Sequence, residues 1–159
     1  MVAHSHLLRA GLLGVSLLTA SSAAFAGSCP ADKVVADGQG QKSGATAPKD
    51  VTDVVLGSID LAAQPASIPD RQFRMRRLAI KPGGVVPWHS HDDRPALIYV
   101  AVGQVTEYAS NCAMPIVHNP GEVAEEVKGT SHWWQNTGKT TAVLISADLL
   151  HQQGDAHIM

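Results

Sequence analysis

The sequence predicts a single all-β domain, either a β-sandwich or a β-barrel. Short runs of apolar and β-branched residues recur along the chain with turn residues between them, which is typical of antiparallel strands. After the first 26 residues no segment keeps a helical period over the length of a helix. The chain has 159 residues, of which 45% are apolar and 16% are charged, so it can fill one hydrophobic core and form one ordinary domain.

The predicted strands and turns alternate along the chain. Strands are expected at 51–56, 73–80, 96–102, 105–109, 116–117, 123–127 and 140–147. Tight turns are expected at Pro82-Gly83-Gly84, Gly103, Asn119-Pro120-Gly121, Gly129 and Thr137-Gly138. The runs 96–102 and 142–145 are continuously apolar, so both faces of these strands are expected to be covered. Within 73–80 the apolar residues change parity between Met75 and Leu78, which indicates a bulge.

The first 26 residues are typical of a bacterial secretory signal peptide. Arg9 precedes an apolar run at 10–20, and Ala24-Phe25-Ala26 places small residues where signal peptidase reads them. A membrane-spanning helix needs about 20 residues, and this apolar run is shorter. We therefore expect the mature chain to begin near Gly27, to be periplasmic or secreted, and to have no membrane partner once the signal is removed. The alternative is a lipid anchor at Cys29, although Ala26-Gly27-Ser28 lacks the leucine that normally stands three positions before the cysteine of a lipoprotein signal.

The mature chain divides into an arm, a domain and a tail. Segment 27–50 is rich in Gly, Ala, Lys, Asp and Pro without an apolar period, so we expect a flexible N-terminal arm. The β-domain is expected over 51–150, followed by a polar tail at 151–159. In an oxidising compartment Cys29 and Cys112 are expected to form a disulfide that ties the arm to the domain, the alternative being two buried free thiols.

The charge of the chain argues against nucleic acid as a partner. The formal net charge is -2 and the pI is about 6.4, whereas binding to phosphates needs clustered Lys and Arg. One cluster of basic residues lies within the predicted strand at 73–80 and just before it. It consists of Arg71, Arg74, Arg76 and Arg77. We interpret it as a strand face that is exposed to solvent.

The candidate functional residues begin with His89-Ser90-His91. Side chains alternate between the two faces of a strand, so His89 and His91 point the same way and their imidazoles can converge on one metal ion. A pair of this kind also occurs on exposed strands and as core histidines with satisfied hydrogen bonds.

The residues around this pair strengthen the hypothesis of a metal site, because they resemble the motifs of a known family. The run 83–103 resembles the first cupin motif, G-x5-H-x-H-x(3,4)-E-x6-G, at Gly83, His89, His91 and Gly103. The run 121–136 is similar to the second motif, G-x5-P-x-G-x2-H-x3-N, at Gly121, Gly129, His132 and Asn136. The resemblance covers roughly residues 73 to 148. It implies a cupin jelly-roll barrel, or double-stranded β-helix, that holds one divalent metal ion through His89, His91 and His132.

The chain departs from the family pattern at two positions. The family's glutamate ligand falls on Ala96, or on Pro95 at the shorter spacing, and neither side chain can coordinate a metal. Val127 occupies the position of the proline in the second motif, and this replacement is expected only to make the turn less rigid. Three neutral imidazoles would leave the charge of the ion to be balanced by water, hydroxide or an anionic substrate. The candidates for a replacement ligand are Asp92, Asp93 and Glu107.

The remaining aromatic residues and histidines are expected to have structural roles or to lie on the surface. Trp88, Trp133 and Trp134 could line a substrate site, but they are expected to pack and exclude water. Tyr99 is expected on the outer face of its strand. Three histidines are interpreted as surface residues: His118, His151 and His157.

Two classes of function follow from the resemblance. The first is a metal-dependent enzyme, with dioxygenase-like or Lewis-acid chemistry, acting on a small oxygen-rich or anionic molecule; no catalytic acid or base is assigned, and Fe, Zn, Mn, Ni and Cu are all compatible with the ligands. The second is a non-catalytic periplasmic module that binds a small molecule or a metal. Many cupins pair edge strands into dimers, and the apolar strands here are compatible with a homodimer.

Overall fold

The computed structural model describes residues 27–151 of the chain. The expected signal peptide at 1–26 and residues 152–159 of the expected tail, His157 among them, lie outside the described residues. Within the described part, no helix is long and apolar enough to cross a membrane.

Nearly all regular structure in residues 27–151 is β-structure, which confirms the predicted fold class. One short 3₁₀ helix at Ala31–Lys33 precedes the strands. The strands are β1 (Lys49–Asp60), β2 (Arg71–Ser90), β3 (Ala96–Val102), β4 (Val105–Ala109), β5 (Ile116–His118), β6 (Val123–Glu126), β7 (Ser131–Gln135) and β8 (Ala142–His151). Strand β7 was not predicted from the sequence, because its residues, Ser-His-Trp-Trp-Gln, carry no run of β-branched side chains.

The strands form a nearly closed jelly-roll barrel in the order β5-β4-β7-β2-β8-β3-β6, with β1 added to β2. Strand β2 connects the two walls of this barrel. Its first half pairs with β1 and β8, and its second half pairs with β7. Because β2 runs through both walls, the residues near its C-terminal end lie at the mouth of the barrel, opposite β7. His89 is one of these residues.

Strand β2 continues through Pro82-Gly83-Gly84, where the sequence predicted a turn. Lys49 pairs with Val85 and Val51 with Ile80, so four residues of β2, 81–84, lie opposite the single residue Asp50 of β1. A Cβ on Gly84 would lie 2.8 Å from the Lys81 carbonyl oxygen and 2.9 Å from that of Asp50. The glycines therefore accommodate an irregular bulge inside a long strand rather than a reversal of the chain.

The interpretation of the arginine cluster as a solvated face is wrong for two of its members. Arg74 and Arg76 are each only 4% exposed and alternate on the inner face of β2 with Leu78 and Ile80. Asp148 accounts for the burial of Arg74, since its two carboxylate oxygens accept hydrogen bonds from Arg74 Nε and Nη2 at 3.0 and 2.7 Å. Arg77 is exposed and Arg71 is half-buried.

The same arginines explain the apparent change of parity between Met75 and Leu78. The β2–β8 register is continuous from Arg71 to Ile80, so β2 itself has no bulge against β8 there. The irregularity lies in the ladder with β1, between Val55 and Gly57. The apolar residues of β2 change parity because Arg74 and Arg76 occupy inner positions, whereas Met75 faces outward.

The cross-strand register arranges the barrel interior in layers. One layer, near the mouth, contains Arg74, Asp148, Ala96 and Glu126, and the next contains Arg76, Ser146, Ile98 and Ala124. Beyond these the interior is apolar, with Leu78, Ile80, Val100, Ala142 and Leu144 all buried. The hydrophobic core therefore fills one end of the barrel, and polar groups occupy the other.

The segment expected to be a flexible arm is held against the barrel. Val34 forms a bridge with Cys112, and the disulfide between Cys29 and Cys112, with a Cα–Cα distance of 5.8 Å, confirms the predicted pairing. A Cβ on Gly40 would overlap the backbone of Cys112, and one on Gly44 would overlap the ring of Trp133. The glycines that suggested flexibility thus allow the arm to pack closely.

Candidate metal centre

The structure places His89, His91 and His132 together at the polar end of the barrel. His89 lies in β2 opposite His132 in β7, and His91 follows one residue after β2 ends. The three ring centroids are 4.7 to 4.8 Å apart. All three rings are buried, with exposed fractions of 8, 2 and 0%.

A fourth group in this cluster, Glu126, was missed by the sequence reasoning. Its carboxylate oxygens lie 3.0 Å from His91 Nε2 and 3.2 Å from His132 Nε2. The four ligand-type atoms all lie within 4.8 Å of one another. Glu126 pairs with Ala96 across β6 and β3, so the carboxylate reaches the centre from the strand next to the one on which the family pattern places it.

The three residues considered as replacement ligands lie outside the cluster. Asp92 accepts a hydrogen bond from the Gly129 backbone at 2.9 Å, and Asp93 is largely exposed and paired with Arg71 at 2.6 Å. Glu107 contacts His132 through the ring nitrogen that faces away from the other histidines. The expectation of an all-imidazole site is therefore corrected, since Glu126 adds a negative charge.

The hydrogen bonds of the three rings test whether the cluster fits a metal ion. Each Nδ1 faces an oxygen acceptor: Pro87 O at 2.8 Å, Arg94 O at 2.7 Å and Glu107 Oε1 at 2.6 Å. A neutral imidazole has one N–H, so a hydrogen on Nδ1 leaves the Nε2 lone pair directed at the cluster. His91 Nε2 is buried and lies 3.0 Å from Glu126 Oε2, but the two atoms are not aligned for a hydrogen bond. Three lone pairs and a carboxylate converging on one point are the donor set of a divalent metal ion, and the residues fit that group.

Glu107 orients this centre from outside it. Its carboxylate accepts hydrogen bonds from His132 Nδ1 at 2.6 Å and from His118 Nε2 at 2.8 Å. Burial raises the pKa of Glu107, but His132 and His118 outweigh burial and lower it to about 2. A carboxylate behind a ligating histidine fixes the tautomer and the ring orientation, as in many metal sites.

The charges of the cluster are strongly coupled. Burial and the neighbouring His132 lower the pKa of His89 to about 3. Burial also lowers the pKa of His132, but Glu126 and Glu107 overcome this effect and raise it to about 10. The site therefore favours a single positive charge where the four groups converge, which either a proton or a metal ion can supply.

Among the aromatic residues and histidines near the site, His118 differs from expectation. His118 is fully buried rather than on the surface, because it stacks on Trp134 at 4.6 Å and binds Glu107. Trp134 packs in the core, as expected, and Trp133 stacks on Tyr108 at 4.0 Å. Tyr99 lies on the outer face of β3, as predicted, but this face is exposed, whereas both faces of the strand were expected to be covered.

A small cavity adjoins the candidate ligands inside the barrel. Its volume is about 20 Å³, and its lining includes His89, Glu126 and Arg76. The other lining residues are apolar: Leu78, Val86, Ile98, Trp134 and Leu144. One water molecule needs about 10 to 15 Å³ on the same measure, so the cavity accepts only a very small group.

The fold and the site together define a class of protein, namely a jelly-roll β-barrel with a cluster of three histidines and one glutamate at one end. Residues 76–148 match the family described as the cupin domain. This match shows that the chain contains a cupin domain.

Known relatives are similar at low identity. The chain is 27% identical over 105 residues to germin-like protein subfamily 3 member 1 of Arabidopsis thaliana, a match that covers 63% of this chain. It spans 50% of the length of that curated relative. Among solved structures, a predicted oxalate decarboxylase from Thermotoga maritima is similar with a TM-score of 0.53 and 18% identity, covering 77% of this chain and 98% of that one. The Cnp3 cupin domain of Schizosaccharomyces pombe has a TM-score of 0.50 at 13% identity, covering 63% and 64% of the two chains. At these identities the two structures show the fold alone.

Proposed function

We propose that the protein is an exported cupin enzyme that binds one divalent metal ion through His89, His91, His132 and Glu126 and acts there on a small oxygen-rich or anionic molecule. The observation that carries the proposal is the convergence of three imidazoles and one carboxylate within 4.8 Å in a buried site. Export is supported by the Cys29–Cys112 disulfide, since such bonds persist in oxidising compartments.

The residues around the ligands have distinct tasks in this proposal. Glu107 and two backbone carbonyls keep hydrogens on the Nδ1 atoms, so that the Nε2 lone pairs are available. Apolar side chains such as Ile98 and Leu144 exclude bulk water from the adjoining cavity. When bound, the ion would supply Lewis-acid polarisation or dioxygen activation.

The test is elemental analysis of protein isolated from the periplasm. We expect about one metal ion per chain, as for a mononuclear site of this donor set. The alanine variants of His89, His91, His132 and Glu126 should each lose most of that metal. His151→Ala is the matched control, because His151 lies near the surface against Asp70 and outside the cluster. Unchanged metal content in His132→Ala would refute the proposal.

A second candidate is a non-catalytic module that binds a metal or a small ligand. It is favoured by the burial of His91 and His132 and by the small size of the cavity, which restrict access to the centre. Oxygen-consumption and hydrolysis assays on metal-loaded protein separate the two candidates. Negative results throughout, together with tight metal binding, would favour the binding module.

A further inference from the structure

Gly27 lies at the gap between β5 and β6. These strands are the two ends of the sheet order, and no ladder joins them within residues 27–151. Gly27 is buried there. A Cβ on it would lie 2.9 Å from the carbonyl oxygen of Val123 in β6 and 3.3 Å from Nδ1 of His118 in β5. Gly27 therefore contacts both edges of the open barrel.

His118 presents an unpaired acceptor at this gap. Its ring is fully buried, and its Nε2–H donates to Glu107 at 2.8 Å. A neutral imidazole has one N–H, so Nδ1 carries a lone pair. This nitrogen has no hydrogen-bond partner in the part of the chain that the structure describes, whereas buried polar atoms are normally satisfied. The group that suits this position is therefore a hydrogen-bond donor close to Gly27.

The cavity at the gap is acidic. Its volume is about 110 Å³, and its lining includes Gly27 and two glutamates, Glu107 and Glu125. The Cβ of Glu122 lies 3.3 Å from the position that a Gly27 Cβ would occupy. None of the described residues that line the cavity is Lys or Arg. Such surroundings favour a positively charged donor over a neutral one.

Removal of the signal peptide after Ala26 produces a donor of this kind. A signal peptidase hydrolyses the peptide bond between Ala26 and Gly27 with one water molecule. The Ala26 carbonyl leaves as a carboxylate, and the Gly27 nitrogen becomes an α-amino group, which is mainly protonated at neutral pH. Rotation about the Cα–C bond of Gly27 then brings the freed nitrogen to the position of the absent Cβ. The distances from that position to Val123 O and His118 Nδ1 suit hydrogen bonds from an ammonium group.

We propose that the mature chain begins at Gly27 and that its α-ammonium group binds in this cavity, where it donates hydrogen bonds to Val123 O and His118 Nδ1. The inference rests on the export that the proposed function includes, and not on the metal ion. The bound ammonium group joins β5 to β6 and fixes the ring of His118, which binds Glu107 behind the metal ligand His132. Processing of the N-terminus thus completes the barrel.

The first test identifies the N-terminus by mass spectrometry of protein isolated from the periplasm. We expect the mature chain to begin at Gly27 with a free amino group. Any other first residue, including a lipid-modified Cys29, would overturn the proposal.

The second test measures how fast an amine-acylating reagent labels the α-amino group in the folded protein. The matched control is the same protein with two glycines inserted between Ala26 and Gly27, which moves the amino group out of the cavity. Labelling of the wild type should be at least about tenfold slower, because the carboxylates around the cavity favour the unreactive ammonium form. Equal rates in the two proteins would overturn the proposal.

A pair of charge-removing substitutions tests the acidic lining of the cavity. Glu125→Gln should accelerate labelling about two- to threefold, since it removes one carboxylate near the ammonium group. Asp32→Asn is the matched control, because Asp32 belongs to the same arm as Gly27 but pairs with Lys33 at 2.9 Å outside the cavity lining. Its labelling rate should equal that of the wild type. An equal effect of both substitutions, or of neither, would overturn an acidic binding site for the α-ammonium group.

Hydrogen exchange and metal content, measured in every sample, distinguish the kinds of failure. The variant with two inserted glycines should exchange faster than the wild type in β5 and β6, and equally where β2 pairs with β8. Slow labelling in a wild-type protein without metal would overturn the metal centre and support the bound N-terminus. A metal-loaded protein that keeps its signal peptide, or that is labelled as fast as the inserted variant, would overturn this inference and leave the metal centre intact.

Discussion

Ala96 and Glu126 lie directly opposite each other on β3 and β6, and this pairing explains how Glu126 reaches the three histidines. The Cβ atoms of directly opposed residues are about 5 Å apart, so a glutamate at either position can extend to the same point. The small side chain of Ala96 leaves room for the glutamate of the neighbouring strand. The two positions are therefore expected to be interchangeable as sources of the carboxylate.

Moving the carboxylate from one strand to the other tests this relation. Glu126→Ala should weaken metal binding by more than about 100-fold, because a ligand contributes more than an outer hydrogen-bond partner does. Adding Ala96→Glu to this variant should restore most of the affinity, which competition with a chelator would measure. Glu125→Ala is the control, since Glu125 is the exposed neighbour of Glu126. A double variant as weak as Glu126→Ala would mean that the two positions are not equivalent.

At the scale of the elements, the N-terminal arm is a structural part of the barrel surface. Gly40 N and Gln41 N donate to the carbonyls of Ser110 and Ala109 at 2.7 and 2.9 Å, and Trp88 N donates to Ala45 at 2.9 Å. The disulfide anchors the start of the arm beside the buried residues Ala109 and Ile116. Together these bonds fix a segment that has no apolar face of its own.

Removing the disulfide should affect stability and not the metal site. Cys29→Ser combined with Cys112→Ser should lower the free energy of unfolding by about 4 kcal/mol, because in the unfolded chain the bond closes a long loop between cysteines 83 positions apart. Urea denaturation measures this change, and limited proteolysis should cut the arm first. Metal content should stay the same, since neither cysteine belongs to the cluster. A loss of metal in this variant would show that the arm supports the centre more directly than its contacts indicate.

At the scale of the whole molecule, the barrel is closed by hydrogen bonds except at one seam. Strands β5 and β6 are the two ends of the sheet order, and no ladder joins them among the described residues. A cavity of about 110 Å³ lies at this seam, between Ala109 and Ile116 on one side and Ala124 and Val127 on the other. Glu126 of β6 and His132 of β7 come from strands on opposite sides of it. An ion held by both would therefore tie the open edge of the barrel together.

Metal removal should for this reason loosen one part of the molecule more than the rest. At a free ion concentration 1,000 times the dissociation constant, binding stabilises the folded state by about 4 kcal/mol, so chelation should lower the melting temperature clearly. Hydrogen exchange should increase most in β6 and its neighbouring loops, and least where β2 pairs with β8. Equal increases in both regions would contradict a role of the ion in closing the seam.

Several properties of the protein could be predicted from local sequence. The alternation of apolar and turn residues predicted the all-β fold, since strand formation depends on the local period of side chains. The spacing of His89 and His91 placed both rings on one side of a strand. The cysteine count and the expected export predicted the disulfide that the structure contains.

Other properties were decided only by tertiary structure. Glu126 joins the histidines through the register of β3 and β6, and a one-residue slip would have turned it outward, so sequence alone could not identify it. Arg74 and Arg76 are inside because Asp148, more than seventy residues away, supplies a buried counter-charge. Sequence by itself thus determined the type of fold and the three histidines of its motifs. Tertiary structure decided the fourth ligand and the charged interior, because both depend on contacts between residues that are distant along the chain.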